Sequence, residues 1–123
     1  MLDLCGRFAA CLALVAAAHA PLAAQTAQPA TPRMTSRRVA DTDRATILRL
    51  TLPAGYRDPI TAGTSDLIVV QGSAGNIEVV LGKETQSSRQ EPGKVWYVPK
   101  TTPHGFSNVG SDAFDLIVIV LKP

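Results

Sequence analysis

The most informative segment of this 123-residue chain lies at residues 93–108 and reads GKVWYVPKTTPHGFSN. Its opening glycine follows a proline, which is turn chemistry, and the β-branched and aromatic run at 95–98 then has the composition of a strand. Pro99 ends that strand, because proline cannot continue a central hydrogen-bonded ladder. The chain returns along a new strand that begins near His104, and the side chain of Asn108 can close the turn that follows.

The rest of the chain also has the periodicity of strands. The leucines of residues 46–52 alternate with polar residues, and short β-branched runs occupy 66–71 and 77–81. The glycine-containing turn between those two runs predicts a hairpin. Residues 116–121 are apolar on both faces, which predicts a strand that is central in its sheet or covered by a partner subunit. Short strands with turns at close spacing predict an all-β sandwich or barrel.

The first 24 residues are typical of an export signal rather than of a folded domain. Arg7 precedes an uncharged apolar run at 8–18, and small residues follow up to Ala24. This is the layout of a secretory signal peptide, and the run is shorter than the roughly 20 apolar residues that span a bilayer. We expect cleavage after Ala24, a mature protein in a bacterial periplasm or outside the cell, and no membrane anchor after cleavage.

The remaining chain divides into a linker and one domain. Residues 25–37 are rich in Pro, Thr and Gln and have no apolar period, so they are predicted to be a flexible linker. Residues 38–123 are predicted to form a single domain. A domain of this size hides only about 60–65% of its unfolded surface, which leaves it marginally stable as a monomer.

Cleavage would also remove most residues that carry reactive chemistry. Both cysteines, Cys5 and Cys11, and one of the two histidines, His19, lie within the predicted signal, which leaves His104 as the single mature histidine. Removing one acidic and one basic residue with the signal turns totals of 10 Asp/Glu and 12 Lys/Arg into nine and eleven. The basic residues are scattered and aromatic residues make up 5% of the chain, which argues against a nucleic-acid partner.

Residues 93–108 resemble the second sequence motif of the cupin superfamily. That motif is Gly, five residues, Pro, one residue, Gly, two residues, His, three residues and Asn, and every spacing is met here. The one departure is Thr101, which replaces the inner glycine. The resemblance extends from Thr51 to Leu121 and implies a cupin-type jelly-roll β-barrel or sandwich. It also implies a homodimer, since cupins commonly pair through sheet-to-sheet contacts.

The first cupin motif is matched less well. In the family, two histidines and a glutamate lie between glycines that are two or three residues further apart than those bounding residues 55–72 here. Counting forward from the first glycine places Thr61 and Gly63 at the histidine positions. Counting back from the second places Ser65 at the glutamate position, with Asp66 beside it.

The predicted ligand-binding residues are His104, Thr61, Ser65 and Asp66. An enzymatic transition-metal site usually needs three protein ligands from imidazole, carboxylate or thiolate, so one mature histidine and no cysteine predict no bound metal and no other cofactor. The alternative is a carboxylate-rich site of His104 with Asp66 and Glu78 or Asp58. The strand register argues against it, because it puts Ser65 rather than Asp66 on the face toward the lumen, the interior of the barrel.

Two neighbouring pairs have plainer interpretations. Arg57 and Asp58, before Pro59, are interpreted as a solvated loop pair. Trp96 and Tyr97 should point to opposite faces of one strand, one into the core and the other to the surface or a subunit contact.

Three functions stay open from the sequence. The first is a module that binds a small organic ligand in the lumen without a full metal site, with His104 polarising the ligand. The second is a metal-dependent enzyme (an oxygenase, isomerase or lyase) with a non-standard ligand set. The third is a non-catalytic structural or interaction domain. His104 would then be a structural residue hydrogen-bonded to a loop carbonyl or to Asn108. A single mature histidine favours the first and third.

Overall fold

A computed structural model describes residues 31–123, so the predicted signal peptide and most of the predicted linker lie outside the described residues. Every regular element in this part of the chain is a strand. The strands are β1 (Thr35–Asp41), β2 (Ala45–Leu52), β3 (Leu67–Gln71), β4 (Gly75–Leu81), β5 (Glu84–Gln90), β6 (Val95–Val98), β7 (His104–Asn108) and β8 (Phe114–Leu121). Over residues 31–123 there is no helix long and apolar enough to cross a membrane.

The strands form two antiparallel sheets. The five-stranded sheet has the order β1-β2-β8-β3-β6, and the three-stranded sheet has the order β5-β4-β7. Buried apolar residues from both sheets form one core, which includes Leu52, Val69, Ile77, Phe106 and Leu116. This arrangement confirms the predicted all-β sandwich.

The position of β8 explains why its sequence is apolar on both faces. It lies in the middle of the five-stranded sheet between β2 and β3, as predicted. Leu116 and Val118 are buried in the core, whereas Ile117 and Ile119 point to the other face and are half-buried. The core-facing residues of β8 are therefore buried within one subunit. On its other face, no strand or loop of the described residues packs over Ile117 and Ile119.

The predicted hairpin between β3 and β4 is wrong. β3 pairs with β6 and β8, whereas β4 pairs with β5 and β7 in the other sheet. Residues 72–74 carry the chain from one sheet to the other, and the N–H of Gly72 donates to the carbonyl of Asp115 at 2.8 Å. Gly75 permits the crossing, since a Cβ there would come within 2.8 Å of Cγ in the Phe114 ring.

The sequence does not predict β1 and β5, because neither contains an apolar run. β1 begins at Thr35, so residues 35–37 of the predicted linker belong to the sheet. Nearly all of β1 is exposed, and the strand forms because its backbone pairs with β2 along its length. β5 is likewise polar and pairs with β4 from Glu84 to Gln90.

Strand β6 confirms the predicted division between its two aromatic residues. Trp96 is buried, and its ring packs edge-to-face on Phe106 with 5.6 Å between centroids. Tyr97 points the other way and is 55% exposed. It therefore belongs to the outward face of the five-stranded sheet.

Asn108 closes the turn after β7, as predicted. Its side chain is fully buried, and Nδ2 donates to the carbonyl oxygens of Leu52 at 2.9 Å and Asp112 at 2.8 Å. Oδ1 accepts the N–H of Gly110 at 2.9 Å. The Asn108 side chain thus links the end of β7 by hydrogen bonds to β2 and to the loop that precedes β8.

Candidate ligand-binding site

A cavity of about 130 Å³ lies in the lumen between the two sheets. One wall is aliphatic and comes from β2, β3 and β8; it consists of Leu50, Leu52, Leu67, Val69, Leu116 and Val118. The opposite side is formed by Phe106 and His104 of β7, and Met34 and Asp58 complete the lining. A cavity of roughly 150 Å³ with similar walls stays dry and holds a benzene ring, so this lumen suits a ligand of about that size.

His104 is half-buried at the start of β7, where Pro99 and the following turn return the chain to the barrel. Its Nδ1 lies 3.0 Å from the carbonyl oxygen of Thr102. A carbonyl oxygen only accepts hydrogen bonds, so Nδ1 carries the proton and Nε2 of the neutral ring is left as an acceptor. The ring also lies against Phe106, with centroids 6.3 Å apart. His104 is thus both tied to a loop carbonyl and part of the cavity wall.

Asp58 is the second polar side chain of the cavity. Oδ2 accepts the backbone N–H of Phe106 at 2.8 Å, and Oδ1 accepts the hydroxyl of Tyr56 at 3.1 Å. The hydroxyl of Ser107 accepts the N–H of Asp58 at 2.9 Å. These bonds fix the carboxylate in one orientation, and each oxygen keeps a further lone pair. The interpretation of Asp58 as a solvated loop residue is wrong.

The loop that carries Asp58 covers the edge of β7 that β4 leaves free. Residues 56–61 accept hydrogen bonds from every second N–H group along this edge. Without these bonds the edge of β7 would be open to pairing with a strand of another chain. The three bonds run from the N–H of Asn108 to the Tyr56 carbonyl, from Phe106 to the Asp58 carboxylate, and from His104 to the Thr61 carbonyl. Asp58 reaches the lumen because its carboxylate, and not a backbone carbonyl of a neighbouring strand, accepts the N–H of Phe106.

The Asp58 carboxylate also contributes to the pKa of the neighbouring Tyr56. Partial burial, with a smaller contribution from the adjacent Asp58 carboxylate, raises the pKa of Tyr56 above its usual value. The tyrosine hydroxyl therefore stays protonated and remains a donor to Asp58 over the whole physiological range. Arg57 points away, is exposed, and lies 3.5 Å from the Glu78 carboxylate, so it agrees with the solvated interpretation.

The other predicted ligand-binding residues do not share the cavity with His104. Thr61 is exposed and meets His104 through two backbone hydrogen bonds of 3.0 and 2.9 Å. Ser65 and Asp66 line a separate surface depression near Lys100. Asp66 accepts the backbone N–H of Lys100 at 2.7 Å. The shortened loop follows the edge of β7 and ends outside the lumen, so counting along the motif does not place these side chains inside.

A metal ion does not fit the donor set of this cavity. Only His104 and Asp58 present metal-ligating groups to it. Across residues 31–123 no three His, Cys, Asp or Glu side chains come together in a group that could hold a metal. A transition-metal enzyme site with protein ligands ordinarily has at least three.

Thr101, which stands where the cupin motif has glycine, keeps the backbone conformation that glycine would have. Its φ is +68°, and it is the one non-glycine residue with positive φ in the described part of the chain. The N–H of Thr102 donates to the Pro99 carbonyl at 3.2 Å and closes the turn. The motif therefore directs His104 toward the lumen through the expected turn despite the substitution.

This chain is similar to known proteins in its three-dimensional structure. No family model and no curated protein matches the sequence. A cupin domain from Bordetella pertussis superposes with a TM-score of 0.65 at 18% identity, covering 78% of this chain and 100% of its own. An RmlC-like cupin with a double-stranded β-helix fold from Methanocaldococcus jannaschii gives 0.61 at 18%, covering 79% and 86%. The polyketide cyclase RemF from Streptomyces resistomycificus gives 0.64 at 16%, covering 77% and 70%.

These likenesses confirm the predicted resemblance to the cupin superfamily at the level of fold. The chain has the cupin jelly roll, with the described domain spanning most of each matched structure. At such identities a shared fold carries no activity from one protein to another. What this lumen does must follow from its own side chains.

Met34 is a cavity residue that the sequence does not identify, and Asp58 is identified only as a possible ligand of the alternative carboxylate-rich metal site. Asp58 is far from His104 along the chain, and an Asp before a proline is ordinarily a turn residue. Met34 lies in the segment predicted as flexible linker, yet it packs against the core and lines the cavity. Neither residue carries a local pattern that could have indicated its position.

Proposed function

We propose that this chain is an exported cupin-fold binding protein whose lumen holds one small, neutral, largely apolar molecule with a hydroxyl group. The observation that supports this most directly is the chemistry of the cavity wall. Eight of its ten lining residues are apolar or aromatic, and the two polar ones are His104 and Asp58.

The hydroxyl follows from the hydrogen-bonding state of those two residues. Nε2 of His104 is an acceptor in the neutral ring, because Nδ1 donates to Thr102. The oxygens of Asp58 are acceptors as well. A ligand that donates a hydrogen bond satisfies either group, whereas a carboxylate would face another anion and pay for desolvation. A phenol or a short branched alcohol fits the size and donates its one hydroxyl proton to either acceptor.

Thermal unfolding of the processed protein, followed through the fluorescence of its single tryptophan, tests this proposal. The probes are phenol, toluene and benzoate. A ligand at ten times its Kd stabilises the folded state by about 1.4 kcal/mol, which corresponds to a rise in Tm of about 5–10 °C. We expect phenol to give the largest rise, toluene a smaller one and benzoate none. A response to benzoate but not to phenol would contradict the proposed ligand class.

Variants of cavity residues test whether the ligand binds in the lumen. Val118→Leu adds a methylene group inside the cavity, whereas Val79→Leu adds it at a buried position that does not line the cavity. We expect the first to weaken the phenol response and the second to leave it unchanged. His104→Phe should reduce the advantage of phenol over toluene, because the acceptor is lost while the ring is kept. Equal effects of both valine variants would place the binding elsewhere.

Export is supported by the sequence of the first 24 residues alone. N-terminal sequencing of protein from the native host should find mature chains that begin at or near Gln25. Intact Met1 in the cytosolic fraction would contradict export and leave the ligand proposal standing.

A further inference from the structure

Met34 is the one lining residue of the cavity, among those described, that lies neither in a strand nor in the loop between β2 and β3. It belongs to residues 31–34, which precede β1 and form what we call the N-terminal strap. Outside the strand ladders, no backbone hydrogen bond joins the N-terminal strap to another described residue. The strap is therefore held in place mainly by the packing of its side chains.

The packing of the N-terminal strap places Met34 at the lumen. Thr35 pairs with Thr51 on the outward side of β2, so the alternation of the chain turns the side chain of Met34 toward the lumen. Met34 is half-buried and packs against the core. Pro32 lies beside the turn after β2, where its Cγ would be 3.9 Å from a Cβ at Gly55. The strap thus lies along the end of β2 and adds Met34 to the cavity wall.

The rest of the cavity wall is fixed by hydrogen bonds. Eight of the ten lining residues lie in the ladders of β2, β3, β7 and β8. The ninth is Asp58, whose carboxylate is held by the hydroxyl of Tyr56 and the N–H of Phe106. Met34 differs from all of them, since it is outside the ladders and its unbranched side chain has three rotatable bonds. The size of the cavity therefore changes most easily at Met34.

We propose that Met34 determines the size selectivity of the lumen, by closing it against molecules larger than a single six-membered ring. This inference rests on the proposed binding of an apolar molecule in the lumen. With Met34 in place the cavity measures about 130 Å³, and roughly 150 Å³ is what holds benzene, so a two-ring aromatic molecule does not fit. Met34→Ala removes the outer part of this side chain, including its sulfur atom, and opens space for a second ring at the strap.

Calorimetric unfolding of the processed protein tests this selectivity with two pairs of probes, phenol with 2-naphthol and toluene with naphthalene. In each pair the second molecule adds one ring and keeps the polar character of the first. We expect the wild-type chain to be stabilised by the one-ring probes only. Met34→Ala should respond to the two-ring probes as well, and its Kd for phenol should rise about 5–10-fold, because the ring loses apolar contacts with this wall. Each Tm shift is measured against the same variant without ligand.

Two variants are matched controls. Met34→Leu keeps an apolar side chain of similar volume and should keep the preference for one ring. Val79→Ala opens space at a buried position that does not line the cavity, so it should not admit the two-ring probes. A wild-type chain that binds the two-ring probes, or Met34→Ala with the wild-type size preference, overturns the role of Met34. Size selection without an advantage of phenol over toluene refutes only the proposed hydroxyl, and no response to any probe in either chain overturns both proposals.

The ε-methyl group of Met34 supplies a direct readout. Met1 lies in the predicted signal, so the processed chain has a single methionine and one ε-methyl ¹³C–¹H signal. Phenol in the lumen should shift this signal to saturation through its ring current, with the same Kd as its effect on Tm. An ε-methyl signal that stays in place while phenol raises Tm contradicts the contact between Met34 and the ligand, and with it the proposal.

Discussion

Replacing Thr101 by glycine should stabilise this protein. Thr101 has φ +68° in the turn that delivers His104 to the lumen. A side chain with a Cβ costs about 1–2 kcal/mol in this left-handed region, and a β-branched one is a clear outlier there. Glycine removes that strain but adds about 0.5–1 kcal/mol of backbone entropy to the unfolded chain. The net expectation is a gain of about 1 kcal/mol, or roughly 4–8 °C in Tm.

Little else should change with this substitution. Thr101 is exposed, and its backbone N–H, which donates to the Gly63 carbonyl at 2.8 Å, is kept in glycine. Lys100→Gly is the matched control in the same turn, where φ is not positive, and it should destabilise by about 0.5–1 kcal/mol. Denaturant unfolding of both variants measures the difference. Equal destabilisation by the two glycines would refute the reasoning from backbone strain.

Three further predictions concern packing, a buried hydrogen-bond centre and a tyrosine. Gly75→Ala should destabilise by about 1–3 kcal/mol through overpacking, whereas Gly63→Ala, which meets nothing within 4 Å, should be neutral or slightly stabilising in the same urea titration. Asn108→Ala removes the side-chain partner of three backbone groups, of which the Leu52 carbonyl is buried and those of Gly110 and Asp112 are only partly so, and it should cost about 1–3 kcal/mol, again measured in urea. A raised pKa of Tyr56 means that its share of stability is complete below about pH 10 and is lost as the pH rises further. Asp58→Asn should lower that pKa while burial keeps it above the usual value, as read by absorbance at 295 nm.

The sequence predicts those elements whose signals are local. Alternating leucines predict β2, and Pro99 and His104 bound a turn that the structure contains. β1 and β5 are not predictable in this way, since both are polar edge strands held by backbone pairing to a neighbour. For such strands, tertiary pairing outweighs local propensity.

Long-range packing accounts for the errors. A glycine-rich turn between two β-branched runs is compatible with a hairpin or with a crossing between sheets, and the contact of Gly75 with Phe114 selects the crossing. The site shows the same limitation. His104 is predictable from its motif, whereas Asp58 enters the lumen because its carboxylate bonds to the N–H of Phe106, a contact without a local sequence signal.

The most direct test of the proposed lumen is the imidazole ¹⁵N spectrum of the processed protein, which retains a single histidine. For the neutral imidazole the account predicts one set of signals in which Nδ1 is protonated and Nε2 is not, because Nδ1 donates to Thr102. Phenol should then shift the Nε2 resonance to saturation as it donates a hydrogen bond, and benzoate should leave it in place. A neutral ring with its proton on Nε2, or an Nε2 resonance that does not respond while phenol raises Tm, would contradict the account.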